Sequence, residues 1–240
     1  MKTITKIYAF AAIIASTLIG CSQHPTVPES ATAENKQPEI YPDYKDVTVP
    51  CNIAPLNFKI VEECDECVAR FTFDGGEYTY GDGVKVLIDE DEWKEMLSAS
   101  KGKSIKVNLY AQKDGKWISY KEFGINVAEE EIDPYISYRL IQPSYVAYED
   151  LTINQRNLTN FEEKVVYGNM LVSNDLNGQC INCHSYQNYG TNNMQFHMRQ
   201  AMGGTVIVND GVAKKVNLKT DSTLSAGVYP SWHPTLKLIA

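Results

Sequence analysis

The sequence predicts a mainly β fold on three observations: short runs of alternating apolar and polar residues between Val47 and Val127, turn signals between them, and one helix-spaced stretch. Val47 and Val49 alternate, then Phe58 and Ile60, then Ala69, Phe71 and Phe73 ahead of Gly75-Gly76. Val84, Val86 and Ile88 follow Gly81-Asp82-Gly83. Ile105, Val107 and Leu109 run into Asp114-Gly115, a hairpin signal, and Trp117 opens the returning strand. Asp89 to Ser100 places Trp93, Met96 and Leu97 on one helical face, closed by Lys101-Gly102. Six or seven short strands in roughly 85 residues suggest an immunoglobulin-like sandwich over residues 45–132.

The chain opens differently. Lys2 and Lys6 precede a short apolar run, Ile7 to Leu18, too short for the ~20 apolar residues of a membrane span. The run ends in Leu18-Ile19-Gly20-Cys21, which resembles a bacterial lipobox. The resemblance implies a signal peptide over residues 1–20, cleaved ahead of a lipid-modified Cys21, and attachment to the cell envelope. Ser22 favours the outer membrane facing the periplasm. Loss of Lys2 and Lys6 takes the net charge from −8 to −10, which argues against nucleic acid as a partner. Residues 21–44, rich in Pro, Ser, Thr, Ala and Glu, read as a flexible tether.

Export implies an oxidising compartment, where cysteines pair, bind a cofactor or carry lipid. Of six cysteines, Cys51, Cys64 and Cys67 are left after Cys21 and the pair discussed below, so one disulfide among these three is expected. The acids between Cys64 and Cys67 disfavour a redox-active thiolate.

Residues 133–225 read as an irregular or helical connector, with a helix over Asn160 to Leu171. They contain Cys180-Ile181-Asn182-Cys183-His184. Two thiols one helical turn apart can each add to a vinyl group at a porphyrin edge, and the imidazole after the second thiol can ligate the iron. This composition yields Cys-x-x-Cys-His by chance about 0.002 times per chain. The motif therefore predicts one covalent haem c on Cys180 and Cys183, with His184 as proximal ligand. A zinc half-site or a local disulfide are the alternatives, although zinc wants four ligands. Met194, His197, Met198 and Met202 share one face if their segment is helical, ended by Gly203-Gly204. His197 ranks first as distal ligand, Met198 next and His233 third.

The tail, Tyr229-Pro230-Ser231-Trp232-His233-Pro234 through Lys237-Leu238-Ile239-Ala240, resembles the opening of a TolB-like (WD40-like) propeller blade, with Thr235-Leu236 where that repeat usually turns on Asp-Gly or Ser-Gly. Together with the lipobox, the β-rich region, the haem motif and Phe196-His197-x-Arg199, it is similar to bacterial envelope lipoproteins with a propeller behind a cytochrome c-like segment. A propeller needs at least four blades of roughly 40 residues. Residues 226–240 would supply only the first strand, so either the chain is a piece of a longer protein or that strand pairs onto the preceding domain.

Two functions compete. One is single-electron transfer by a membrane-anchored haem domain with an envelope redox partner. The other is a TolB-like binding or scaffold lipoprotein whose Cys-x-x-Cys-His site is structural or vestigial. A haem peroxidase would need an open sixth position and an acid–base group, for which His197 and Arg199 are the available source.

Overall fold

The computed structural model describes residues 24–143, 148–171, 180–223 and 226–240. They fall into two compact units. Unit 1 runs to Glu129, except for Asn52–Ala54; those three residues and Glu130–Ala240 make unit 2. The fold is mainly β, with one α-helix among the described residues. No helix among them is long and apolar enough to cross a membrane. The expected signal peptide and Cys21 lie outside the described residues.

Unit 1 begins with four short strands, β1 (Thr32–Ala33), β2 (Ile40–Tyr41), β3 (Thr48–Val49) and β4 (Phe58–Ile60). The strands β5 (Glu66–Phe73), β6 (Gly76–Tyr80) and β7 (Lys85–Val86) lead into helix α1 (Glu90–Ala99). Then come β8 (Ser104–Lys113), β9 (Lys116–Ser119) and β10 (Phe123–Val127). β8 is the spine. One edge pairs with β5, and the other pairs with β10 near its start and β9 near its end. β6 extends the sheet beyond β5, while β3 and β1 add in parallel to β10 and β9. β2, β4 and β7 form a second sheet, whose Phe58 meets Phe123 edge to face at 6.4 Å.

Local chemistry explains the turns. Asp89 caps α1 by accepting from the Asp91 and Glu92 amides. Asp114 and Gly115 both take left-handed φ, 52° and 72°, the two-residue turn that suits twisted antiparallel strands. Ala69, Phe71, Val107, Leu109 and Ile125 are buried, as are Trp93, Met96 and Leu97 of α1.

The expected tether is ordered from His24 onward. β1 pairs with β9 and β2 with β4. Glu62 clasps the intervening stretch, accepting from Lys36 Nζ at 3.1 Å, the Glu39 amide at 3.1 Å and Tyr120 Oη at 2.6 Å. Backbone pairing and charge hold this segment, neither of which its apolar-poor composition registers. The expected disulfide is also absent: no bond joins Cys51, Cys64 and Cys67. Cys51 gives its S–H to the Glu129 carbonyl at 3.4 Å. Cys67 points into the core, where burial, reinforced by Cys64 and Glu66, pushes its thiol up to about 12.

Unit 2 corrects the expected connector over residues 133–225. It is two packed sheets, one of β11 (Tyr135–Leu140), β12 (Thr152–Asn157) and β13 (Glu163–Gly168), the other of β14 (Cys180–Tyr186), β15 (Asn193–Arg199), β16 (Gly204–Asn209) and β17 (Val212–Val216). Ile153 of β12 and Leu151 just before it meet Ile181, Met194, Phe196 and Met198 from the second. The helix expected over Asn160–Leu171 is β13, and the helical face expected from Met194 to Met202 is β15 and a following 3-10 turn, Gln200–Met202. In both stretches polar residues interrupt the apolar positions, and the spacing imitates a helix.

Two measurements test unit 1. Phe71→Ala empties a fully buried site on β5 and destabilises by about 3–5 kcal/mol, read from urea unfolding. Burial raises the Glu62 carboxyl, but the bonds from Tyr120, the Glu39 amide and Lys36 outweigh it and hold it below its ordinary 4.5. A depressed folded pKa contributes stability that is lost as pH falls through it. Unit 1 therefore weakens as pH drops below 4.5, and Glu62→Gln flattens that part of the profile. Identical profiles for the two proteins would sink the clasp.

Candidate functional site

The Cys-x-x-Cys-His motif opens β14, the edge strand of its sheet. Cys180 faces Arg199 across the ladder, Ile181 faces Met198 and Asn182 faces His197; pairing resumes at Ser185 with Gln195. Cys183 and His184 thus oppose a single residue, Phe196, which is a β-bulge. Cys183 sits in the left-handed region at φ 55°, a conformation that costs a non-glycine residue of order 1–3 kcal/mol.

The bulge sorts the motif. Along β15, Met194, Phe196 and Met198 face the core, and Gln195, His197 and Arg199 face the other way. Ile181 is wholly buried against the first set. His184 lines an open cleft of ≈ 350 Å³ with Tyr135, Ser137, Gln155, Tyr186 and Tyr189. Its Nδ1 is buried and has no partner among the described residues. Tyr186 reaches across to Ser137 Oγ at 3.2 Å. Tyr189, also at positive φ, stands 86% exposed at the rim.

Arg199 joins the two thiols on the other side of the motif. Its bond to Tyr229 raises the guanidinium above its ordinary range, and the neighbouring Cys183 and Cys180 add to this. Cys180 and Cys183 are half-buried thiols without a disulfide.

The three distal candidates lie elsewhere. Met198 is buried in the core opposite Ile181. His197 is 3% exposed with Nδ1 on Thr205 Oγ1 at 3.1 Å, and burial, aided by the Arg199 charge, lowers its pKa. His233 Nδ1 accepts from the Thr235 and Leu236 amides at 3.2 and 3.1 Å. None of them lines the cleft that holds His184. Among the described residues no three His, Cys, Asp or Glu side chains form a metal-binding group.

The tail closes on itself. Ser231 and Ala240 exchange backbone bonds of 2.8 and 2.9 Å, and Trp232 bridges Ile239. It is tied to β14 by a relay in which Gln195 donates to Ser185 Oγ, and Ser185 to the Pro230 carbonyl. Gln187 donates to the His233 and Leu236 carbonyls. Spacing could not have found the cleft tyrosines, Gln195, Ser185 or Tyr229, since folding brings them together; the tyrosine-rich stretch after Asp133 was the one available hint.

No protein-family model matches the chain, and no curated protein matches its sequence.

Thiol reactivity tests this geometry. Iodoacetamide on the folded, cofactor-free protein modifies Cys180 and Cys183 well before Cys67, whose thiol is buried and pushed up to about 12. Peptide mapping by mass spectrometry checks the order, and Cys67 reacting first would refute it.

Proposed function

We propose that this chain is a lipid-anchored protein of the bacterial envelope, tethered through Cys21 and facing the periplasm, that carries one c-type haem for single-electron transfer. One observation carries the reading. The residue after the second thiol, His184, turns through a bulge into an open cleft, and its buried ring nitrogen has no partner.

The residues fit the group in kind but not in placement: His184 lines the cleft, whereas Cys180 and Cys183 do not and lie beside Arg199. Cys180 and Cys183 would hold a porphyrin by thioether bonds, and His184 would ligate its iron. The cleft falls within the range of cofactor pockets, and Tyr135, Tyr186 and Tyr189 would offer ring surface to a flat ligand. Haem, when bound, supplies a metal that changes oxidation state by one electron. The protein's part would be to present the imidazole in the cleft, line it with Tyr186 and keep Arg199 beside the attachment thiols. The net charge of −10 once Lys2 and Lys6 are removed suits a cationic partner surface.

The second reading, a TolB-like scaffold with a structural motif, is favoured by the distal candidates lying away from the cleft and by the tail docked beside β14. An immunoglobulin-like reading of unit 1 is supported by two sheets meeting at Phe58 and Phe123.

Expression in a host with a cytochrome c maturation system separates the readings. The denatured protein is expected to stain for haem and to give a pyridine haemochrome spectrum of the c type, and Cys180→Ser with Cys183→Ser abolishes both. His197→Gln and Met198→Leu leave the spectrum of the folded protein unchanged, because neither side chain reaches the cleft. A wild type without covalent haem, and a double serine variant as stable as it, would establish the scaffold instead.

A further inference from the structure

His24, the first described residue, is bound to the surface of unit 1. Its ring Nδ1 lies 3.0 Å from the Thr79 carbonyl oxygen and its Nε2 3.1 Å from Glu92 Oε1. Thr79 Oγ1 donates to the Pro25 carbonyl at 2.7 Å. Tyr80 braces the same carboxylate, its hydroxyl donating to Glu92 Oε2 at 2.7 Å. The ring centroids of Tyr78 and Tyr80 both stand 5.9 Å from the imidazole. Three polar contacts on two consecutive residues pin the chain to β6 and α1.

Cys21 lies three residues earlier. Three extended residues reach at most about 10 Å, against ~70 Å for a free tether of some twenty. A lipid on Cys21 would thus be within about 10 Å of chain from His24, at β6 and the start of α1. We infer that β6 and the first turns of α1 form the membrane-facing surface of unit 1, latched there by His24 and apposed to a zwitterionic lipid surface. The inference rests on the reading of Cys21 as lipid-modified.

Charge and apolar surface on this face agree with that partner. The first turn of α1 carries Glu90, Asp91 and Glu92 with Asp89 before them. Anionic headgroups would repel these acids, whereas a zwitterionic surface, with no net charge, does not. Leu87, half exposed beside Pro25 and Ile88 in a shallow depression of ≈ 360 Å³, offers an apolar contact at the same place.

The test uses the mature, acylated protein on phosphatidylcholine vesicles. Hydroxyl-radical footprinting is expected to show that vesicles protect Tyr78 and Leu87 relative to the unacylated Cys21→Ser protein. In the variant His24→Ala/Thr79→Val the next tie to unit 1 is β1, eleven residues beyond Cys21. That variant stays on the vesicles and loses the protection, while unchanged far-ultraviolet circular dichroism shows that unit 1 remains folded. Mass spectrometry of the N-terminal peptide keeps the two readings apart. A Cys21 without an acyl group overturns the anchor and with it this inference. An acylated, vesicle-bound protein without protection at these residues, or one whose protection survives in the double variant, overturns the inference and leaves the anchor standing.

Discussion

The antiparallel pairing of β14 with β15, and the single extra residue in it, governs everything at the candidate site. A regular ladder would send Cys183 and His184 to opposite faces, as any two neighbours in a strand. Pairing Cys183 and His184 together against Phe196 lets Ile181 stay in the core while His184 enters the cleft. The left-handed backbone at Cys183 is the local cost. Core packing of Ile181 on Met198 and Phe196 stabilises the arrangement, since burying one such side chain contributes about 1.5–3 kcal/mol.

The same alternation disposes of the distal candidates. In β15 a residue either joins Met194, Phe196 and Met198 or faces away with Gln195, His197 and Arg199. Met198 belongs to the first set and His197 to the second, where Thr205 already satisfies one ring nitrogen. Burial of His197 together with Gln195 and Thr205 makes the outward face of this sheet a buried polar layer. Such a layer is stable only so far as its groups are bonded: Gln195 Nε2 reaches the tail through Ser185 and Pro230, while Gln195 Oε1 has no partner among the described residues.

Unit 1 was largely legible because its alternation is clean. Val107 and Leu109 are buried as their spacing implies, Asp114-Gly115 makes its hairpin, and Asp89 caps the helix that Trp93, Met96 and Leu97 predict. Legibility failed where polar groups are buried or apolar ones exposed. Gln195 and His197 hide the period-two pattern of Met194, Phe196 and Met198, leaving Met194 and Met198 to suggest a helical period. Val165 lies exposed on β13, so its spacing from Phe161 carried no information about a core. The segment after Cys21 is bound by ladder bonds and by Glu62, and composition is blind to both.

The Cys-x-x-Cys-His motif shows the limit of spacing most sharply. Its residues were recognised on the premise that two thiols three positions apart lie one helical turn apart, yet they lie on a strand. What spacing encodes is the order thiol, thiol, imidazole; what haem attachment would need is both sulfurs at one porphyrin edge and the ring turned toward its iron. A helix meets that need by its pitch. Here a bulge turns the imidazole into a cleft that neither thiol lines, and Arg199 across the ladder lies beside both thiols. Because a one-residue slip of register would send His184 to the opposite face, the chemistry at this site depends on the pairing of β14 with β15 as much as on the identity of the three residues.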